Sequence, residues 1–117
     1  MTIKVIVAAQ FFRNASKLQK RYPNILNDVR GLKVQLEAGE TPGDRLQGLD
    51  RRVYKVRLKN SDAQRGKSGG YRVVYYLETV AQVVLITIYS KSDQSDVPDD
   101  VIRRIIADYE AQPPPEM

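Results

Sequence analysis

The chain of 117 residues contains no cysteine and no histidine. Without cysteine, no thiol can act as nucleophile, ligate metal or form a crosslink, and a cytosolic location fits at least as well as a secreted one. Without histidine, the usual general base of neutral pH is missing. No cluster of acids has metal-binding spacing, and phosphate-loop, Rossmann-glycine and nucleophile-elbow motifs are absent. Gly66-Lys67-Ser68 matches the end of a phosphate loop, but the earlier glycine and the following helix are missing. Redox, acyl-transfer and nucleotide-hydrolysis enzymes are poor fits. No apolar run approaches the length of a bilayer span. Met1-Thr2-Ile3-Lys4 leads into a short apolar stretch with no cleavage-site pattern, so neither a signal peptide nor a membrane partner is expected, and the expected location is cytoplasmic.

Positive charge is present and local. Lys and Arg number 19 against 14 Asp and Glu, a net charge of +5. Between positions 51 and 72 stand Arg51, Arg52, Lys55, Arg57, Lys59, Arg65, Lys67 and Arg72, with Asp62 as the one acid. That block exceeds the net charge of the whole chain, so the remainder is slightly acidic. A concentrated basic block suits a polyanionic partner better than the same charge spread evenly.

Periodicity gives the elements. Ile3 to Val7 alternates as a strand. Phe11, Ala15, Leu18 and Tyr22 share one helical face, Pro23 ends that helix, and Ile25, Val29, Leu32 and Leu36 repeat the spacing up to a capping Gly39. Glu40 to Asp44 reads as a turn-rich connection. Val53 to Lys59 alternates strictly, with Tyr54, Val56 and Leu58 inward and Lys55, Arg57 and Lys59 outward. Asn60 to Gly70 is a polar loop; Tyr71 to Leu77 and Val83 to Tyr89 are buried strands. Asp96 to Asp100 opens a last helix with Val101 or Ile102, Ile105 and Tyr109 on its apolar face. The expected fold is α+β in the order β-α-α-β-β-β-α: a mainly antiparallel four-stranded sheet with two N-terminal helices and a C-terminal helix packed on it. One domain over residues 1–110 is expected, followed by a disordered Pro-rich tail over 111–117.

Lys55, Arg57 and Lys59 lie on one strand face at intervals of roughly 6.5–7 Å, close to the phosphate repeat of an extended nucleic-acid strand. Arg72 opens the next strand after Gly69-Gly70, and Tyr89 and Lys91 share a face at the end of the last one. Adjacent strands would gather these groups into a site able to grip a phosphate and stabilise added negative charge on it. Each feature also has an ordinary reading: solvated surface for the basic row, a turn for the glycines, a packed aromatic for Tyr89. Their convergence on one region favours the site.

Tyr54-Lys55-Val56-Arg57-Leu58-Lys59, Gly66-Lys67-Ser68-Gly69-Gly70-Tyr71-Arg72-Val73-Val74-Tyr75-Tyr76 and Ile86-Thr87-Ile88-Tyr89-Ser90-Lys91 resemble the RelE/ParE superfamily of bacterial toxins, and the glycine-tyrosine-arginine segment resembles its RelE/HigB-like branch. The resemblance implies a toxin of a type II toxin-antitoxin system: a ribosome-dependent, metal-independent messenger-RNA endoribonuclease that needs no cofactor. In such members the ribose 2′-hydroxyl attacks the adjacent phosphate in the ribosomal A site. Carried over, Lys55 and Arg57 flank the scissile phosphate, Arg72 stabilises the transition state, and Lys91 supplies a basic position at the strand end. Relatives have a tyrosine near the start of the final helix where this chain has Val97-Pro98, so Tyr89 is expected to take its place. Lys59, Arg65 and Lys67 are expected to bind RNA. To serve as base, Lys55 would need a pKa well below the ordinary value of about 10.4. A cognate antitoxin is the implied protein partner. Two alternatives stay open: a ParE-like inhibitor of DNA gyrase, and a non-catalytic domain that binds RNA or antitoxin.

Overall fold

The structure is a computed structural model and describes residues 2–63, 70–94 and 96–112. The elements run β1 (Lys4–Val7), α1 (Ala9–Gln19), α2 (Ile25–Glu37), β2 (Asp44–Arg45), β3 (Val53–Leu58), β4 (Tyr71–Thr79), β5 (Gln82–Ser90) and α3 (Asp99–Ala111). The α+β class is as expected, but the order gains a strand: the sheet has five strands, ordered β1-β5-β4-β3-β2, where four were expected. The added strand, β2, is two residues long, pairs antiparallel with β3 and continues the stretch read as a turn. The sheet is mixed: β1 lies parallel to β5, with Val5 opposite Val83, while β3, β4 and β5 are antiparallel neighbours. A β-αα-β link between parallel neighbours needs a long crossover, and α1 and α2 belong to it.

Alternation along the central strands divides the interior in two. Val73 and Tyr75 face one side with Phe11, Leu18, Ile25, Leu32 and Leu36 of the helical pair. Val74 and Tyr76 face the other with Val53, Ile102, Ile105 and Ile106, so α3 covers the opposite face. A strand buried on both faces reads as a continuous apolar run, which is the pattern of Val83 to Tyr89.

Helix boundaries differ by small amounts: α1 ends at Gln19, before Tyr22 and Pro23, α2 begins at Ile25 after Asn24, and Pro98 caps α3 from an extended conformation (φ −63°, ψ 151°). Acids in the first turn of α3, Asp99 and Asp100, suit the positive end of its dipole. The helix is fixed to the sheet at its far end. Glu110 accepts from Arg51 at 2.6 Å and from the Tyr76 hydroxyl at 3.1 Å. Tyr109 donates to Glu78 at 3.2 Å. Of the tail expected over 111–117, Ala111 instead ends α3 and Gln112 caps it, while residues 113–117 lie outside the described residues.

Candidate functional site

Register brings the expected residues together. Arg57 on β3 is the direct partner of Arg72 on β4, and Arg72 is the direct partner of Tyr89 on β5. With strands about 4.8 Å apart, the three side chains form a transverse row roughly 10 Å long. Lys55 stands two residues before Arg57, on the same face and opposite Val74. This is the face that α3 covers, but α3 packs over Val53, Val74 and Tyr76, toward the other end of the strands.

Two glycines make the row possible. Gly70 (φ +98°) admits β4 against the end of β3, where a Cβ would stand 2.5 Å from the Leu58 carbonyl oxygen. Gly43 (φ +95°) precedes β2, where a Cβ would stand 2.3 Å from the carbonyl oxygen of Lys55. Both positions exclude an L side chain on conformational and steric grounds.

Arg57 is exposed and Arg72 half-buried, and Nη1 of Arg72 donates to the Tyr71 carbonyl oxygen at 3.3 Å. Among the described residues neither guanidinium has an acidic partner. Like charges set directly opposite on adjacent strands repel and cost stability. An unneutralised pair of this kind is the arrangement an anionic ligand would complete.

Lys55 differs. Its Nζ lies 3.0 Å from Oδ1 of Asp96, in the link between β5 and α3. The same oxygen accepts from the backbone N–H of Val97 at 2.8 Å and from the Tyr89 hydroxyl at 3.4 Å. The Lys55 bond, then that of Val97, holds the Asp96 carboxyl below the ordinary carboxylate range. Burial chiefly, and then the Asp96 charge, pushes the Tyr89 phenol up, with Arg72 opposing. At neutral pH Tyr89 is therefore a proton donor. Lys55 is thus held in an ion pair with an acid from the β5–α3 link.

The remaining expected residues divide. Lys59 is exposed just beyond β3. Lys91, half-buried, follows β5 and its backbone N–H donates to the Gly70 carbonyl at 3.0 Å, which places it beside the start of β4. Arg65 and Lys67, with Gly69, lie outside the described residues. Asp96 was read only as the start of the last helix: it is one of four acids between positions 93 and 100, and its placement beside Lys55 depends on the path of the chain after β5. Among the described residues no three acids gather in a metal-binding cluster. No described helix is long and apolar enough to cross a membrane. A cleft of about 530 Å³ lined by Ile3, Leu36, Arg52, Leu77 and Val80 lies at the opposite end of the sheet from the row.

No family model and no curated protein sequence matches this chain. Among solved structures, it is similar to the Escherichia coli toxin RelE in the free state, determined as a double arginine-to-alanine variant. The TM-score is 0.54 over 94% of this chain and 96% of that one, at 18% sequence identity. The fold is thus that of RelE-like toxins, and at this identity the likeness speaks for the fold alone.

Proposed function

We propose that this protein is a RelE-like toxin that cleaves messenger RNA in the ribosomal A site without a metal or other cofactor, and that an antitoxin holds it silent. The observation that carries this reading is the row Arg57–Arg72–Tyr89, two guanidiniums with no acidic partner among the described residues and a protonated phenol, side by side on one sheet face. The ribose 2′-hydroxyl attacks the adjacent phosphorus, the bond to the 5′-oxygen breaks, and the products are a cyclic phosphate and a free 5′-hydroxyl. Arg57 and Arg72 hold the non-bridging oxygens as their negative charge increases, which is where fixed donors act most strongly. Tyr89 donates to the phosphate or stacks on a base. Lys55 and Lys91 add positive charge on either side of the row, and Lys59, Arg65 and Lys67 bind the flanking backbone. Holding the 2′-oxygen in line with the leaving oxygen supplies a further share of the rate. Such a target places the working protein in the cytoplasm.

The antitoxin reading rests on the same charge: an exposed basic face attracts an acidic segment. The test is induction of wild type and Arg72→Ala in cells, with primer extension on an abundant transcript. Wild type is expected to arrest growth and produce translation-dependent cuts. Arg72→Ala is expected to lower cleavage roughly 10²–10³-fold. Arrest without RNA cuts would redirect the reading to gyrase, and no arrest would leave a non-catalytic binding domain.

A further inference from the structure

The Asp96 carboxylate sits against groups that a phosphate needs. Its Oδ1 receives Lys55 Nζ, the Tyr89 hydroxyl and the Val97 N–H, at 3.0, 3.4 and 2.8 Å. The Asp96 side chain is 63% exposed while that of Lys55 is 29% exposed, and Tyr89 as a whole is only 4% exposed. The carboxylate thus lies on the solvent side of both donors. A phosphate that took the same two donors would bring its own charge within a few ångströms of the carboxylate, where like charges repel strongly. Both anions cannot hold the site together.

We propose that Asp96 is an internal stand-in for the RNA phosphate: in the free protein its carboxylate occupies the Lys55–Tyr89 donors, and substrate binds by exchanging with it. This rests on the reading of the row as an RNA-phosphate site. The exchange needs only a side-chain rotation, since the exposed carboxylate has solvent to turn into, and its bond to Val97 is local to the same turn. An exposed ion pair is weak, so the carboxylate sets a threshold instead of closing the site. A lone phosphate gains little by displacing it. An extended strand gains Arg57, Arg72 and Lys59 in the same event, so the device favours a polymer over free phosphate.

The experiment measures fluorescence anisotropy of a short labelled RNA, 2′-O-methylated throughout so that it cannot be cut. It is titrated with wild type, Asp96→Asn, Asp99→Asn, Lys55→Ala, Lys55→Ala/Asp96→Asn and Arg72→Ala. Asp96→Asn is expected to tighten binding roughly three- to tenfold. Asp99→Asn removes the same charge three residues later without touching the donors, and is expected to change affinity by less than about twofold. In the Lys55→Ala background the gain from Asp96→Asn is expected to vanish. A tightening cannot come from a failure to fold. Equal effects of Asp96→Asn and Asp99→Asn, or a gain that persists without Lys55, would overturn the stand-in. Binding that weakens in Arg72→Ala but ignores Asp96→Asn would overturn it alone. Binding indifferent to both would take the RNA-site reading with it.

Discussion

One face of the sheet carries two ends with opposite characters. At the α3 end, charged groups meet partners across the helix and sheet: Arg51 meets Glu110, Glu110 also meets Tyr76, and Tyr109 meets Glu78. Beneath them Val53, Val74 and Tyr76 are buried against Ile102, Ile105 and Ile106. At the other end, a few residues along the same strands, Arg57 faces Arg72 and neither has an acidic partner among the described residues, while the exposed Asp96 pairs with Lys55. The first end has partners for its polar groups and apolar contact for the rest, as a stabilising region requires. The second leaves Arg57 and Arg72 without an acidic partner among the described residues, at a cost in stability. The difference separates a region that stabilises the fold from the region proposed above to bind RNA.

The comparison can be broken by mutation. The largest stability effect is expected at the matched end: Ile102→Ala, at a residue 1% exposed, should cost about 2–5 kcal/mol in urea unfolding. Arg72→Ala should cost less than about 0.5 kcal/mol, because it removes a repulsion with Arg57. If Arg72→Ala destabilised the fold as much as Ile102→Ala, the division between the two ends would collapse. Gly70→Ala should come next. Its Cβ meets the Leu58 carbonyl oxygen and its φ is +98°, so a loss of about 1–3 kcal/mol is expected, together with loss of RNA binding as the Arg57–Arg72 register is disturbed. The smallest effect belongs to Glu110. Arg51 holds its carboxyl below the ordinary 4.5, so its contribution is present above that value and lost as pH falls through the lower folded one. Glu110→Gln should therefore flatten the acid limb of the stability profile, measured as melting temperature against pH, while leaving its neutral plateau slightly lower.

The sequence carried the elements better than their neighbours. Strict alternation from Val53 to Lys59 put Lys55 and Arg57 on one face, and the structure keeps them there. Helical spacing from Phe11 to Leu36 likewise gave the buried positions of α1 and α2. Lateral order was less visible. Asp44 and Arg45 have no period, because two residues paired at a sheet edge need none, and β2 was read as turn. The parallel alignment of β1 with β5 follows from a crossover through two helices, which no local pattern records. Arg72 and Tyr89 were expected near the row because neighbouring antiparallel strands were expected, yet their direct pairing is a matter of register that depends on Gly70. Asp96 was not legible as part of the site, since its role arises from where an irregular link returns.

The pairing of β1 with β5 also sets a schedule. Lys4 finds its partner in Gln82, and the row needs Tyr89, so neither the sheet nor the site exists while only the first half of the chain has been made. Contacts this distant in sequence form late and slowly. During synthesis, α1 and α2 can be present while the cations of β3 have no neighbours to align them. A row assembled this way is complete only when nearly the whole domain has been made.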